Sequence, residues 1–336
     1  MKKNLLRLFI ILPVFAGLLI AGCEKPDKND GNDGDEKQTV VKPATPKRVH
    51  PNVDSLVRTA SVVEEVSASS TITLTEGVTL TEMKITVPPS YSDTKSHPDN
   101  LYIVAIDLYK SALGLRVATP NNSVEVPLGQ WPRATLTSMA NDLDAEGSRV
   151  IAMVNGSFWN TSTITPRGPV HSNGTVMWSR FDPLGSGKQG VSYVGATRGS
   201  RVSIDYTAEY ATTGSLYANL TGAGLMLVWD GKKVDNSNGP DKDREPRTAL
   251  GYTSDYFFYF LCVDGRNPGV SEGMTMDDMG SIFEALKCSR AVNVDGGGSS
   301  QLLIRNPETG AFQIRNNPSD GAERPVIDGW TVIKKL

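Results

Sequence analysis

Asp295 heads a run in which one carboxylate is followed by three consecutive glycines, Gly296, Gly297 and Gly298, and by two hydroxyls, Ser299 and Ser300. Each glycine loses more backbone entropy on ordering than any other residue, so a folded chain keeps three together only where something approaches the backbone closely or φ must be positive. Successive N–H groups in such a run can form an anion-binding nest. A carboxylate beside a nest suits hydrolysis of a phosphate-bearing substrate. Two more carboxylates have comparable settings: Asp264 opens an Asp-Gly-Arg turn that ends in Arg266, and Glu323 directly precedes Arg324. Arg247 and Arg324 could each grip a phosphate through two parallel N–H bonds, which a lysine cannot do. Asn155, Asn293, Thr248 and Ser299 add neutral hydrogen-bonding groups. Taken singly, each charged residue is as well explained by a surface ion pair. Collectively they share a placement, because nearly all follow apolar strands, where a chain turns at one edge of a sheet.

Two other chemistries need weighing. Residues 269–273 read Gly-Val-Ser-Glu-Gly and match the GxSxG of a nucleophile elbow, which requires a tight strand-to-helix turn and a later histidine. Pro268 separates Ser271 from the preceding strand, and no histidine follows His171. Trp159, Trp178 and Trp229 could stack on sugars, which would make the chain a carbohydrate-binding surface protein without catalysis. They are scattered, and tryptophans are more often packed than functional. Zinc has little support: His50, His97 and His171 are far apart and no CxxC pair is present. Acids near Asn155, Asp264 and Asp295 among them, could hold Ca²⁺ or Mg²⁺ through oxygen ligands, a role ranked below direct catalysis.

The elements that must position these groups can be read from the pattern. Residues 71–74 and 79–87 alternate β-branched and polar side chains around Glu76-Gly77 and predict two strands. Residues 101–108 and 115–119 predict two more. Leu136, Met139, Ala140 and Leu143 share one helical face, and Gly147 suits the end of that helix. Residues 149–154 form an apolar strand that delivers Asn155-Gly156-Ser157-Phe158. Residues 166–178 and 191–204 predict hairpins, 223–229 a strand, and 230–246 a charged exposed loop. An apolar strand over 256–263 ends at Asp264. A helix over 273–289 follows, with Thr275 and Asp278 as a capping box. It feeds the strand that ends at Asp295. If the strands flanking this helix run parallel, Asp264 and Asp295 lie at one sheet edge. The expected class is α+β, a single large domain of β-rich mixed sheets with two or more helices.

The chain has 336 residues, 21% of them charged, and a formal net charge of −3. That balance, with no Lys/Arg-rich run, gives no electrostatic case for nucleic acid. Residues 1–22 carry Lys2, Lys3 and Arg7 ahead of a short apolar segment, and Ile20-Ala21-Gly22-Cys23 is similar to a bacterial lipobox. The expectation is a lipoprotein signal peptide, cleavage before Cys23, lipid attachment at Cys23 and export to a membrane surface of the cell envelope. Residues 23–54 are too polar to fold and read as a tether, leaving 55–336 as the domain. Cys262 and Cys288 could pair in an exported protein, and two buried free thiols are equally consistent with the sequence.

The series NGSF at 155–158, RTALGY at 247–252, VDGR at 263–266, GMTMDDM at 273–279, AVNVDGGGSS at 291–300 and ERPV at 323–326 resembles the phosphodiester glycosidase family, most closely over 149–336. The resemblance implies a hydrolase that cleaves a sugar, N-acetylglucosamine among its substrates, from a phosphodiester. It implies catalytic roles for Asp295, Asp264 and Glu323. Substrate contacts would come from Asn155, Arg247, Thr248, Arg266, Asn293, Gly296, Gly297, Gly298, Ser299 and Arg324, with a glycan or sugar phosphodiester as the partner. Ser157 stands where relatives commonly show glycine or another small residue.

Overall fold

A computed structural model describes residues 48–336 except 90–93, 126–128, 183–186, 240 and 336. The expectations for residues 1–47, Cys23 included, lie outside the described residues. The compact unit runs from Val49 to Leu336.

Alternation of side chains explains the layers. Along the strand Phe257–Val263, Phe258, Phe260 and Cys262 point into one core, while Phe257, Tyr259, Leu261 and Val263 point into another. Both faces of this strand are therefore buried, which is why its sequence is apolar at every position. It sits inside an eight-stranded sheet. One face of that sheet is covered by the helices Val53–Val57 and Met276–Ala285 through Val57, Met279, Ile282 and Phe283. The other face meets two five-stranded sheets, with Phe258 set edge-on to Trp330 across the core at 6.3 Å. The helix Leu136–Ala145 closes the far side, packing the predicted Leu136, Met139, Ala140 and Leu143 against Val150, Met153 and Leu303. The expected α+β class holds, as a single domain layered helix, sheet, sheet, helix.

Within that class the sheets are antiparallel at every strand pair described, rather than mixed. The reason is where the helical crossover lands. The strands Phe257–Val263 and Arg290–Asn293 do run in the same direction, but Arg247–Tyr252 lies between them and pairs antiparallel with both. Asp264 and Asp295 consequently leave the sheet at the same edge, and Arg247 enters it there.

The strand expected over 223–229 divides at Leu225. Asn219–Gly224 belongs to a five-stranded sheet and Met226–Trp229 to the eight-stranded one, so the chain changes sheets without a turn. The capping box forms as the sequence predicts, with the Asp278 amide donating to Thr275 Oγ1 (3.1 Å) and the Thr275 amide to Asp278 Oδ2 (3.0 Å). Part of the expected exposed loop is instead held down, because Arg244 donates to Asp278 Oδ2 at 2.9 Å. Cys262 and Cys288 are free, buried thiols, and burial pushes both far above their ordinary pKa.

Candidate functional site

Three chain segments meet where the eight-stranded sheet touches its neighbour. The strand Arg149–Asn155 ends at Gly156-Ser157, Arg290–Asn293 ends just ahead of Asp295, and Asp328 precedes the last strand, Gly329–Lys334. Backbone hydrogen bonds lock the junction. The Asp295 amide donates to Gly156 O (3.0 Å) and the Gly156 amide to Asp328 O (3.1 Å). The Ser157 amide donates to Asp328 Oδ1 at 2.7 Å. A Cβ on Gly156 would stand 2.2 Å from that same oxygen, so this corner needs glycine for close approach.

Asp328 was not among the expected site residues, and it is the carboxyl the sequence reading missed. It is fully buried, and its Oδ2 makes no hydrogen bond, the Ser157 hydroxyl lying outside bonding geometry. Burial raises Asp328 to about 6 against the opposing pull of Ser157. Asp295 is half-buried and also raised to about 6. Loss of water is the main cause there. The Ser299 hydroxyl, the Gly296 amide and the Arg324 charge pull the other way, and the Asp328 charge adds to the rise. Two aspartates bonded to Gly156 and Ser157 at this junction are therefore both raised toward neutral pH, and the charge of Asp328 acts on Asp295. Perturbed acids of this kind concentrate at functional sites.

Two guanidinium groups flank the triple glycine. Arg324 reaches over Gly298, where a Cβ would stand 1.9 Å from its Nη2, and it donates to Ser299 Oγ (3.4 Å) and Asp320 Oδ2 (2.7 Å). Arg266, itself at φ 57°, lies against Gly297 and donates to Glu245 Oε2 at 2.5 Å. Both side chains remain partly exposed. The glycines thus serve the arginines by leaving room for them. The expected nest is only partly available, because the Gly296 amide donates to Asp295 Oδ1 (3.0 Å) and the Gly297 amide to Pro246 O (2.8 Å).

Other expected site residues have local employment. Glu323 turns away from this corner: its carboxylate accepts from the Thr137 amide (3.0 Å) and Thr137 Oγ1 (2.6 Å), so it caps the helix Leu136–Ala145 from a distant part of the chain. Arg247 is buried and forks onto both oxygens of Asp241 at 3.1 Å, with further bonds to Asp243 O and Met274 O, which fastens the 241–243 loop. Asp264 accepts four hydrogen bonds, from Asn100 (3.4 Å), Tyr102 (3.1 Å), Asn316 (3.3 Å) and the Asn317 amide (2.8 Å). Burial still holds its pKa above the ordinary value. Asn155 is a fully buried brace, donating to Asp295 O at 2.5 Å and accepting from Thr248 Oγ1 (2.7 Å) and the Gln301 amide (3.2 Å). Asn293 is buried as well, its Oδ1 unpaired and against Gly224.

A shared cation between Asp264 and Asp295 does not fit this arrangement. Both oxygens of Asp264 are filled by donors, and among the described residues no group of three or more His, Cys, Asp or Glu side chains could hold an ion. Ser271 is no nucleophile elbow, since its hydroxyl donates to Asp264 O (2.9 Å) and accepts from the Asn100 amide (3.0 Å). His171, fully buried, bonds Tyr210 OH and Tyr217 O. The three tryptophans are covered: Arg133 lies over Trp159, Arg180 over Trp178 and Arg290 over Trp229, at 5.2, 5.5 and 4.0 Å.

Comparison with known proteins agrees with the architecture. The catalytic domain of zebrafish N-acetylglucosamine-1-phosphodiester alpha-N-acetylglucosaminidase, solved auto-inhibited by its pro-peptide, superposes with a TM-score of 0.57 at 15% identity, over 86% of this chain and 96% of that one. A hypothetical protein from Synechocystis gives 0.58 at 15% identity, over 80% and 64%. At that identity the likeness concerns the fold. An uncharacterized SPbeta prophage-derived protein of Bacillus subtilis, YomE, is 40% identical over 112 residues, which is 32% of this chain but only 16% of that protein, so the chain spans about a sixth of that relative's length. The sequence pattern of the phosphodiester glycosidases matches residues 148–333, more than half of the chain. This protein belongs to the phosphodiester glycosidase family.

Proposed function

We propose that the protein hydrolyses a glycosyl-1-phosphodiester, freeing a sugar from the phosphate that carries it, in a glycan of the cell envelope or of a host. Family membership supports a glycosidase-type hydrolase. The observation that carries the finer reading is the corner itself, where Asp295 and Asp328 are both raised to about 6 beside two partly exposed guanidinium groups.

Arg324 and Arg266 hold the phosphodiester, and their charge stabilises negative charge growing on the departing phosphate. Asp295, only partly buried and held down by the Arg324 charge, works ionised. Asp328, dry and with an unpaired Oδ2, keeps the proton. Water attacks the anomeric carbon and gives a proton to the Asp295 carboxylate as the carbon–oxygen bond to phosphate breaks. The proton of Asp328 passes to the released phosphate oxygen. Proton transfer of this kind contributes about 10²–10⁴-fold. The lipobox-like segment ending at Cys23 supports a lipid-tethered enzyme at the envelope surface.

The test is turnover of a sugar-1-phosphodiester by purified protein. Asp295→Asn, an isosteric change at a half-buried site, is expected to lower kcat by at least a hundredfold with the fold intact. Glycan binding without any cleavage by the unaltered protein would favour the non-catalytic carbohydrate-binding alternative.

A further inference from the structure

The strands that meet at the catalytic corner have their other ends on the opposite side of the sandwich. Phe257–Val263 runs from Tyr256 to Asp264, Arg149–Asn155 runs toward Gly156, and Gly329–Lys334 leads away from Asp328. At a strand rise of about 3.3 Å per residue, the two ends lie roughly 20 Å apart.

The far end is built from turns that bond to one another. The Leu108 amide donates to Tyr256 O (3.0 Å), the Asp107 amide to Gly77 O (2.8 Å), the Lys335 amide to Ala112 O (2.7 Å) and the Leu115 amide to Ser200 Oγ (3.2 Å). Segments 76–77, 108–112, 197–201, 253–256 and 334–335 therefore share one surface. Its charge is opposite to that of the whole chain. Lys110, Arg198, Arg201, Lys334 and Lys335 stand against two acids, Glu76 and Asp255, within those segments, whereas the chain carries −3. Both acids are engaged: Glu76 accepts from Lys110 at 2.6 Å and Asp255 from the Thr253 hydroxyl.

Two tyrosines stand among the cations. Tyr109 is 70% exposed and Tyr256 48%, with their rings 6.3 Å apart. Tyr256 has φ 72°, a region that a bulky residue enters only under strain. Its amide bond to Thr253 O (3.2 Å) and the bond from Leu108 hold it there. Strain that the surrounding structure maintains points to a required side-chain placement, and here it sets an aromatic ring on the outer surface. A cleft of 210 Å³ opens beside it, lined by Leu108, Arg201, Val202, Tyr252, Ser254 and Phe257.

Cations interleaved with exposed tyrosines suit the boundary of a lipid bilayer. The cations attract anionic headgroups, and each tyrosine can rest its ring at headgroup level with the hydroxyl in water. The chain also enters the domain at this end. His50 sits edge-on to Phe257 at 5.3 Å, and Val49 before it is 81% exposed.

We propose that this end of the domain docks on a bilayer of anionic phospholipid, with Lys110, Arg201, Lys334 and Lys335 against headgroups and Tyr109 and Tyr256 at the interface. The proposal adds a contact surface to the expected lipid attachment at Cys23 and does not depend on the reaction catalysed. Docked in this way, the protein holds Asp295, Asp328, Arg266 and Arg324 at the end facing away from the bilayer.

The experiment is co-sedimentation of residues 23–336 carrying Cys23→Ser, so that no attached lipid contributes. The probes are vesicles of phosphatidylcholine and vesicles in which about a third of the lipid is phosphatidylglycerol. The expected result is partition onto the anionic vesicles at least tenfold above the neutral ones, weakened by added salt. Arg201→Glu combined with Lys335→Glu is expected to abolish that preference, and Tyr109→Ser to reduce binding several-fold. All three positions are exposed, and thermal melts confirm that the variants fold. Equal partition onto both kinds of vesicle, or an undiminished preference in the charge-reversed protein, overturns the proposal. Binding to soluble polyphosphate without binding to vesicles also overturns it, in favour of an anionic polymer as the partner.

Discussion

Asp328 carries the sharpest consequence at the scale of single residues. Its folded pKa is raised from 3.8 to about 6, so the folded state favours the protonated form. The stability this lends is complete below the unfolded value near 4 and is lost as pH rises through about 6. A two-unit shift on a fully buried group corresponds to roughly 2–3 kcal/mol. Asp328→Asn keeps an acceptor for the Ser157 amide and removes the charge. It is expected to raise the melting temperature at pH 8, to leave it unchanged near pH 4, and to abolish turnover; calorimetry at the two pH values checks the sign. Sequence alone hid this residue because an isolated aspartate carries no anomaly of composition. A weak signal was present in retrospect: Asp328-Gly329 is an Asp-Gly pair beside an apolar strand, as are Asp230-Gly231, Asp264-Gly265 and Asp295-Gly296, but it lies at a strand's start rather than its end. Arg247 shows the opposite error. Its type and position fit phosphate binding, and nothing in the linear chain tells that Asp241 already occupies both arms of its fork.

For loops and helices, the glycines and the caps divide function from stability. The triple glycine was legible because three glycines in a row are costly without a purpose. Its purpose proved to be clearance for side chains more than exposed amides. Gly298→Ala is expected to fold, since the clashes at 1.9 and 2.4 Å are with the partly exposed side-chain ends of Arg324 and Asp320 rather than with backbone, yet to displace that guanidinium and lower kcat/KM by at least tenfold. Measuring phosphate inhibition alongside turnover checks that the loss lies in anion binding. Glu323→Ala is expected to do the reverse: it removes a cap from the helix Leu136–Ala145, costs about 1 kcal/mol in urea denaturation, and leaves kcat/KM within twofold. The helices themselves were legible from periodicity and capping residues, because those signals are local. The missed feature at this scale was partnership across long sequence separations, such as Glu323 with Thr137.

At the scale of the whole molecule, two strands that never pair place the acids. The crossover through Met276–Ala285 returns the chain one place beyond its starting strand, and Arg247–Tyr252 fills the gap, so the acidic turns after both parallel-running strands reach one edge. The second sheet then brings Gly156 and Asp328 to that edge. The sequence showed which strands are apolar and where turns fall, hence the α+β class. It could not show which strands neighbour one another, since pairing order depends on contacts summed over the entire sandwich. The central claim is that two carboxyls, Asp295 and Asp328, cleave a sugar-1-phosphodiester, one ionised and the other protonated. The pH dependence of kcat/KM on such a substrate tests it most directly. The account predicts a bell with both limbs within about a unit of pH 6, and loss of activity in Asp328→Asn across the range. A profile flat from pH 4.5 to 8, or an Asp328→Asn protein that turns over at the unaltered rate, would contradict it.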